Sequence, residues 1–179
     1  MVIRMPKVVM IHEITPEVLQ KDLSEFDIIT FDDGLYTQYL NHEHFAKFNK
    51  KMIFFVSTSI IRPENIIPSN EVLYCGLAHE KAFKGNFENY MSWDEILELS
   101  KLYEIGGHSD KHIKFKNSLK SYPEFKKDTE SMISKLNEHN LRINSFCLPY
   151  NQDNTLYTAY LKKLGFTVYS AERIAIERI

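Results

Sequence analysis

Apolar residues in this 179-residue chain fall into short runs, separated by stretches with a helical period. "KVVMIH" (Lys7–His12), "FDIITF" (Phe26–Phe31) and "KMIFFVS" (Lys51–Ser57) have the continuous apolar character of strands buried on both faces. Between the first two, Thr15 predicts the cap of a short helix with Pro16 at its first position. A helical pattern runs from Tyr36 to about Lys50. Residues Thr58 to Met91 show no clear period and contain Pro63, Pro68, Gly76 and Gly85. A stretch of that length without a period is commonly functional or mobile.

Regular patterning returns at "SWDEILELSKLY". Ser92 and Glu95 have capping-box spacing, and Ile96, Leu99 and Tyr103 share one face. "EIGGH" reads as a short strand. Ser121 and Glu124 predict a second capping box, opening a helix with Phe125, Met132, Ile133 and Leu136 inward. "SFCLPY" is a strand stopped by Pro149. Leu156, Tyr160, Leu161 and Leu164 mark a helix closed by Gly165, and "FTVYSAE" is the last clear strand. Strands alternating with helices predict parallel βα units, in an α/β fold of about six to seven strands. An open sheet and an incomplete barrel both satisfy this pattern.

Composition narrows the class. With 44% hydrophobic and 26% charged residues, the chain has the make-up of a globular domain, and its length fits one domain over residues 1–179. A net charge of −2 gives no pull toward nucleic acid or an anionic membrane. No segment approaches a membrane span, and none near the N-terminus has a signal-peptide core. Cys75 and Cys147 do not make a disulfide framework and read as free thiols. The expected setting is cytoplasmic.

Polar residues collect where the predicted strands end. His12 ends the first, Asp32 and Asp33 the second, His108 the fourth, and Tyr150 the fifth. In parallel α/β folds the carboxyl ends of strands share a face, and sites are built there. Alone, the His108–His112 pair reads as two solvated loop histidines. Next to a double aspartate at an equivalent strand end, it makes a set of one carboxylate and two imidazoles with room for water, as in a catalytic metal site. The same donors also form the facial triad of non-haem iron oxygenases. That reading disagrees with the βα pattern.

"TFDDG" (Thr30–Gly34) and "HSDKH" (His108–His112), with the surrounding "EIGGHSDKHIKF" and "MSWDEILEL", resemble the polysaccharide deacetylase family, the carbohydrate esterases that include chitin and peptidoglycan deacetylases. The resemblance runs from about His12 to the last strand. It implies a distorted (β/α) barrel, a divalent metal, most often zinc, and hydrolysis of an acetyl group on a glycan or a smaller sugar-containing substrate. It makes Asp33, His108 and His112 the metal ligands and Asp32 the general base. "FCLPY" is similar to the family's third motif, whose tyrosine, here Tyr150, supplies a backbone N–H to the oxyanion. Two features depart from the pattern. Cys147 stands where the family has an Arg that orients the base. The family's late histidine, its proton donor, has no counterpart after His139.

His12 is the candidate replacement for the donor, with a structural rim histidine as the other reading. The departures also motivate a catalytically weak or inactive relative that retains metal or ligand binding. His42 and His44 read as solvated helix residues, with His42 near enough to the site to watch. His79 reads as a surface residue, with a place in a lid as the other reading. His139 reads as a helix-end cation and Trp93 as packing.

Overall fold

The computed structural model describes residues 4–116, 118–152 and 154–179. Seven strands form one sheet: β1 (Val8–Ile11), β2 (Ile28–Phe31), β3 (Lys51–Val56), β4 (Glu104–Gly107), β5 (Ser145–Cys147), β6 (Thr167–Tyr169) and β7 (Ile174–Ala175). Every pairing is parallel, in the order β6-β5-β4-β3-β2-β1-β7. Among the described residues, six α-helices accompany them: α1 (Pro16–Leu19), α2 (Tyr36–Ala46), α3 (Cys75–Phe83), α4 (Trp93–Ser100), α5 (Tyr122–Glu138) and α6 (Thr155–Lys163).

Chain length forces the sheet to curl. Strands β6 and β7 are the two edges, yet only five residue steps separate Tyr169 from Ile174. Those steps span at most about 17 Å, whereas seven flat strands would be about 29 Å across. The sheet therefore bends into an incomplete (β/α) barrel whose edges approach without pairing.

Strand residues alternate between two cores, as the pleat requires. Val9, Ile11, Ile29, Phe31, Phe54, Val56 and Phe146 pack outward against the helices. Val8, Ile53, Phe55, Cys147 and Tyr169 fill the concave side. The paired glycines of β4 fit this layering. A Cβ on Gly106 would lie 2.4 Å from the Phe55 ring, and one on Gly107 would lie 2.5 Å from Met132 Sδ of α5.

Several expectations change. Thr15 and Ser92 cap as predicted, the latter in a complete capping box. Ser121 does not. It ends a 3₁₀ turn in helical conformation and its hydroxyl meets Ser118 instead, so α5 begins without a side-chain cap. Helix α2 stops at Ala46 instead of about Lys50. In α6 the buried positions are Tyr157 and Leu161, while Leu164 is exposed. The stretch from Thr58 to Met91 contains α3, and β7 follows the last strand that periodicity reveals. Among the described residues, no helix is long and apolar enough to cross a membrane.

Candidate metal centre

The strand ends converge as the fold class requires. The β1–β2 ladder continues one step beyond β2, where the Asp32 N–H donates to the Ile11 carbonyl at 2.9 Å. Buried Gln38 of α2 ties the same two ends together: its Nε2 donates to the carbonyls of His12 and Asp32. The chain then turns sharply, with φ of 76° at Asp33 and 75° at Gly34. Gly34 suits this turn, because a side chain there would be strained and its Cβ would sit 3.3 Å from Val56 Cγ1. The turn aims the Asp33 carboxylate at the loop after β4.

Three buried donors meet there. Asp33 Oδ1 lies 3.2 Å from His108 Nε2 and 3.1 Å from His112 Nε2, and the two nitrogens are 3.2 Å apart. Donors arranged tetrahedrally about 2.0–2.1 Å from a zinc ion stand about 3.3–3.4 Å from one another. The three residues therefore fit a small divalent cation. Asp33 Oδ1 is buried and makes no aligned hydrogen bond to protein. His108 Nδ1 faces the Cys147 carbonyl at 2.9 Å, so the Nδ1–H donates there and Nε2 is the ring nitrogen left to face the cluster. Burial pushes the His112 imidazole down to about 4, which keeps it neutral. Burial works against charge on Asp33 as well, but the surrounding imidazoles of His108, His112 and His79 outweigh it and hold the carboxyl well below its usual range.

The histidine loop is braced from behind. Ser109 and His112 have φ of 64° and 52°, a conformation that costs a side chain about 1–2 kcal/mol. Their neighbour Asp110 is buried in a dense network. Its Oδ1 accepts from Thr58 Oγ1 (2.7 Å), Ser59 Oγ (2.8 Å) and Lys135 Nζ (2.8 Å), and its Oδ2 accepts from Ser131. Asp128 accepts the backbone N–H groups of Asp110 and Lys111, and the His112 N–H donates to Ser109 Oγ.

Asp32 faces a different partner. Arg173, in the link between the two sheet edges, grips it with both arms: NH1 to Oδ1 at 2.6 Å and NH2 to Oδ2 at 2.7 Å. The guanidinium side chain is fully buried; it also donates to Thr30 Oγ1 and Asn151 Oδ1 and lies over the Phe55 ring. Burial would raise the Asp32 carboxyl, but Arg173 outweighs it and the net shift is downward. Cys147 cannot orient this aspartate by a charged hydrogen bond. Arg173 does so from the other end of the chain, with NH2 2.8 Å from the Cys147 sulfur. His12 lies at the rim, half-buried, with Nε2 3.9 Å from Asp32 Oδ2. Tyr150 caps the far side at φ 59°, its ring 4.8 Å from that of His112 and its hydroxyl donating to the His112 carbonyl.

His79, expected at the surface, is buried, with Nε2 3.2 Å from Asp33 Oδ2. Helix α3 brings it in, packing Ala78 and Ala82 beneath it. The i,i+4 spacing of Cys75 and His79 was the available signal, since it places both on one helix face. Cys75 lies half-buried beside His12 and Asp33, its N–H donating to Glu13. The other histidines stand apart: His42 pairs with the Tyr103 hydroxyl, His44 with Lys47, and His139 stacks on Trp93.

The polysaccharide deacetylase family model matches residues 24–169. Three solved structures share the fold. IcaB from Ammonifex degensii superposes with a TM-score of 0.66 at 19% identity, covering 95% of this chain and 84% of its own. The Streptococcus pyogenes deacetylase PplD, in complex with acetate, gives 0.61 at 12% identity, with 90% and 82% covered. The BpsB deacetylase domain from Bordetella bronchiseptica gives 0.58 at 16% identity, with 83% and 69% covered. No curated protein sequence is significantly similar to the chain.

Proposed function

We propose that this chain, which belongs to the polysaccharide deacetylase family, is a metal-dependent hydrolase that removes an acetyl or similar acyl group from an amino sugar in a glycan or sugar-containing precursor. The observation that carries the reading is the triple of Asp33 Oδ1, His108 Nε2 and His112 Nε2, spaced at 3.1–3.2 Å as donors to one cation. Zinc suits this set of one oxygen and two nitrogens. When bound, the cation supplies an acidified water and polarises the acyl carbonyl.

The chain's own residues then divide the proton work. Asp32, kept ionised by Arg173, accepts a proton from the attacking water at the side facing the cluster. His12, on the accessible side of Asp32, returns a proton to the departing nitrogen or oxygen. The backbone N–H of Tyr150 binds the oxygen of the tetrahedral intermediate. Arg173 weakens the case for an inactive relative, because the guanidinium missing at Cys147 reaches Asp32 by another route.

The test is to purify the protein, determine bound metal and follow acetate release from acetylated amino sugars and their oligomers, with Asp32→Asn as control. The reading expects bound metal and acetate well above the control. Metal without acetate above the control, across the panel, would overturn it in favour of a metal-retaining inactive relative.

A further inference from the structure

His79 contacts two members of the donor triple from a helix that neither sequence motif contains. Its Nε2 is 3.2 Å from Asp33 Oδ2, and its ring stacks on that of His112 with centroids 4.0 Å apart and planes 17° apart. On its other side Nδ1 lies 3.0 Å from the hydroxyl of Tyr90, a fully buried tyrosine. A neutral imidazole has one N–H and one acceptor nitrogen. A lone pair on Nε2 would face a carboxylate oxygen that can only accept, so the compatible tautomer carries its proton on Nε2 and accepts from Tyr90 at Nδ1. The Nε2–H is not aligned for a full hydrogen bond, and it meets Oδ2 as a dipole against a charge.

His79 does not extend the ligand set. The donors of Asp33, His108 and His112 all lie within 4.8 Å of one another, and His79 is outside that group. It addresses the other oxygen of Asp33. We propose that His79 is a positioning residue of the metal centre: it engages Oδ2 so that Oδ1 faces His108 and His112, and its stacked ring fixes the plane of His112. Tyr90 locks the His79 ring in turn. This rests on the reading that the triple holds a cation. It gives the irregular stretch before α4 a specific task, because α3 becomes one wall of the centre.

The experiment measures zinc affinity of the full chain, stripped of metal, by competition with a chromophoric chelator. His79→Ala should weaken zinc about 10- to 100-fold, the usual effect of losing a group that orients a ligand. His79→Gln should recover part of the loss, since its amide N–H can reach the same oxygen. Tyr90→Phe should shift affinity the same way by less, and Glu80→Ala, on the exposed side of α3, should leave it unchanged. With cobalt at saturation, His79→Ala should keep the wild-type ligand-field bands. Changed bands would make His79 a ligand and overturn the positioning role. Wild-type affinity in folded His79→Ala would overturn it too; should that variant not fold, wild-type affinity in both His79→Gln and Tyr90→Phe would do so. A wild-type chain that binds no zinc would instead overturn the underlying metal reading.

Discussion

Asp32 and Asp33 are neighbours in sequence, both buried, and surrounded in opposite ways. Asp32 is gripped by a permanent cation, the Arg173 guanidinium, on both oxygens at 2.6 and 2.7 Å. Asp33 is ringed by the imidazoles of His79, His108 and His112 at 3.1–3.2 Å, and none of these carries an obligatory charge. A guanidinium cannot be given up at neutral pH, so the first pocket fixes one carboxylate in place. Imidazoles can be neutral donors, so the second is suited to an exchangeable cation. The difference separates two tasks that one aspartate could not perform together, holding an ion and handling a proton.

Perturbing each side should give distinct losses. Asp33→Asn and His108→Ala should abolish stoichiometric metal binding, seen by equilibrium dialysis and elemental analysis, and acetate release should vanish with it. Asp32→Asn should keep the metal yet lower the rate of acetate release by about 10²–10⁴. A variant that loses metal and rate together at Asp32 would erase the contrast.

Stability responds most on the Asp32 side. Arg173→Met leaves a buried carboxylate without its partner and should cost about 3–5 kcal/mol in urea unfolding. Pairing it with Asp32→Asn should restore much of that loss, because the stranded charge is removed. Asp110→Ala, which strips the brace from the histidine loop, should cost about 2–3 kcal/mol by the same measurement.

The smallest effect is pH-dependent. The folded carboxyl of Asp32 lies below its unfolded value. As pH falls below about 4, the unfolded chain takes up this proton first, and the stability contributed at higher pH is lost. Urea midpoints of the metal-free protein should therefore fall between about pH 5 and pH 3, and fall less steeply in Asp32→Asn.

What was legible in the chain follows the same division. Asp33, His108 and His112 stand at strand ends, and the parallel sheet alone brings such positions together. Arg173 left no such trace. It precedes a two-residue strand, too short for any periodicity, and reaches Asp32 across 141 positions of sequence. His79 hid for a related reason: α3 is a nine-residue helix in a stretch whose prolines and glycines obscure its period. The barrel itself was half visible. Alternating βα units fixed the parallel sheet, whereas its curl rests on the short link from β6 to β7.

The most direct test of the division between the aspartates is metal content measured side by side in wild type, Asp32→Asn and Asp33→Asn after dialysis against zinc. The account predicts stoichiometric zinc in the first two and none above background in the third. Zinc retained by Asp33→Asn, or lost from a folded Asp32→Asn, would contradict it.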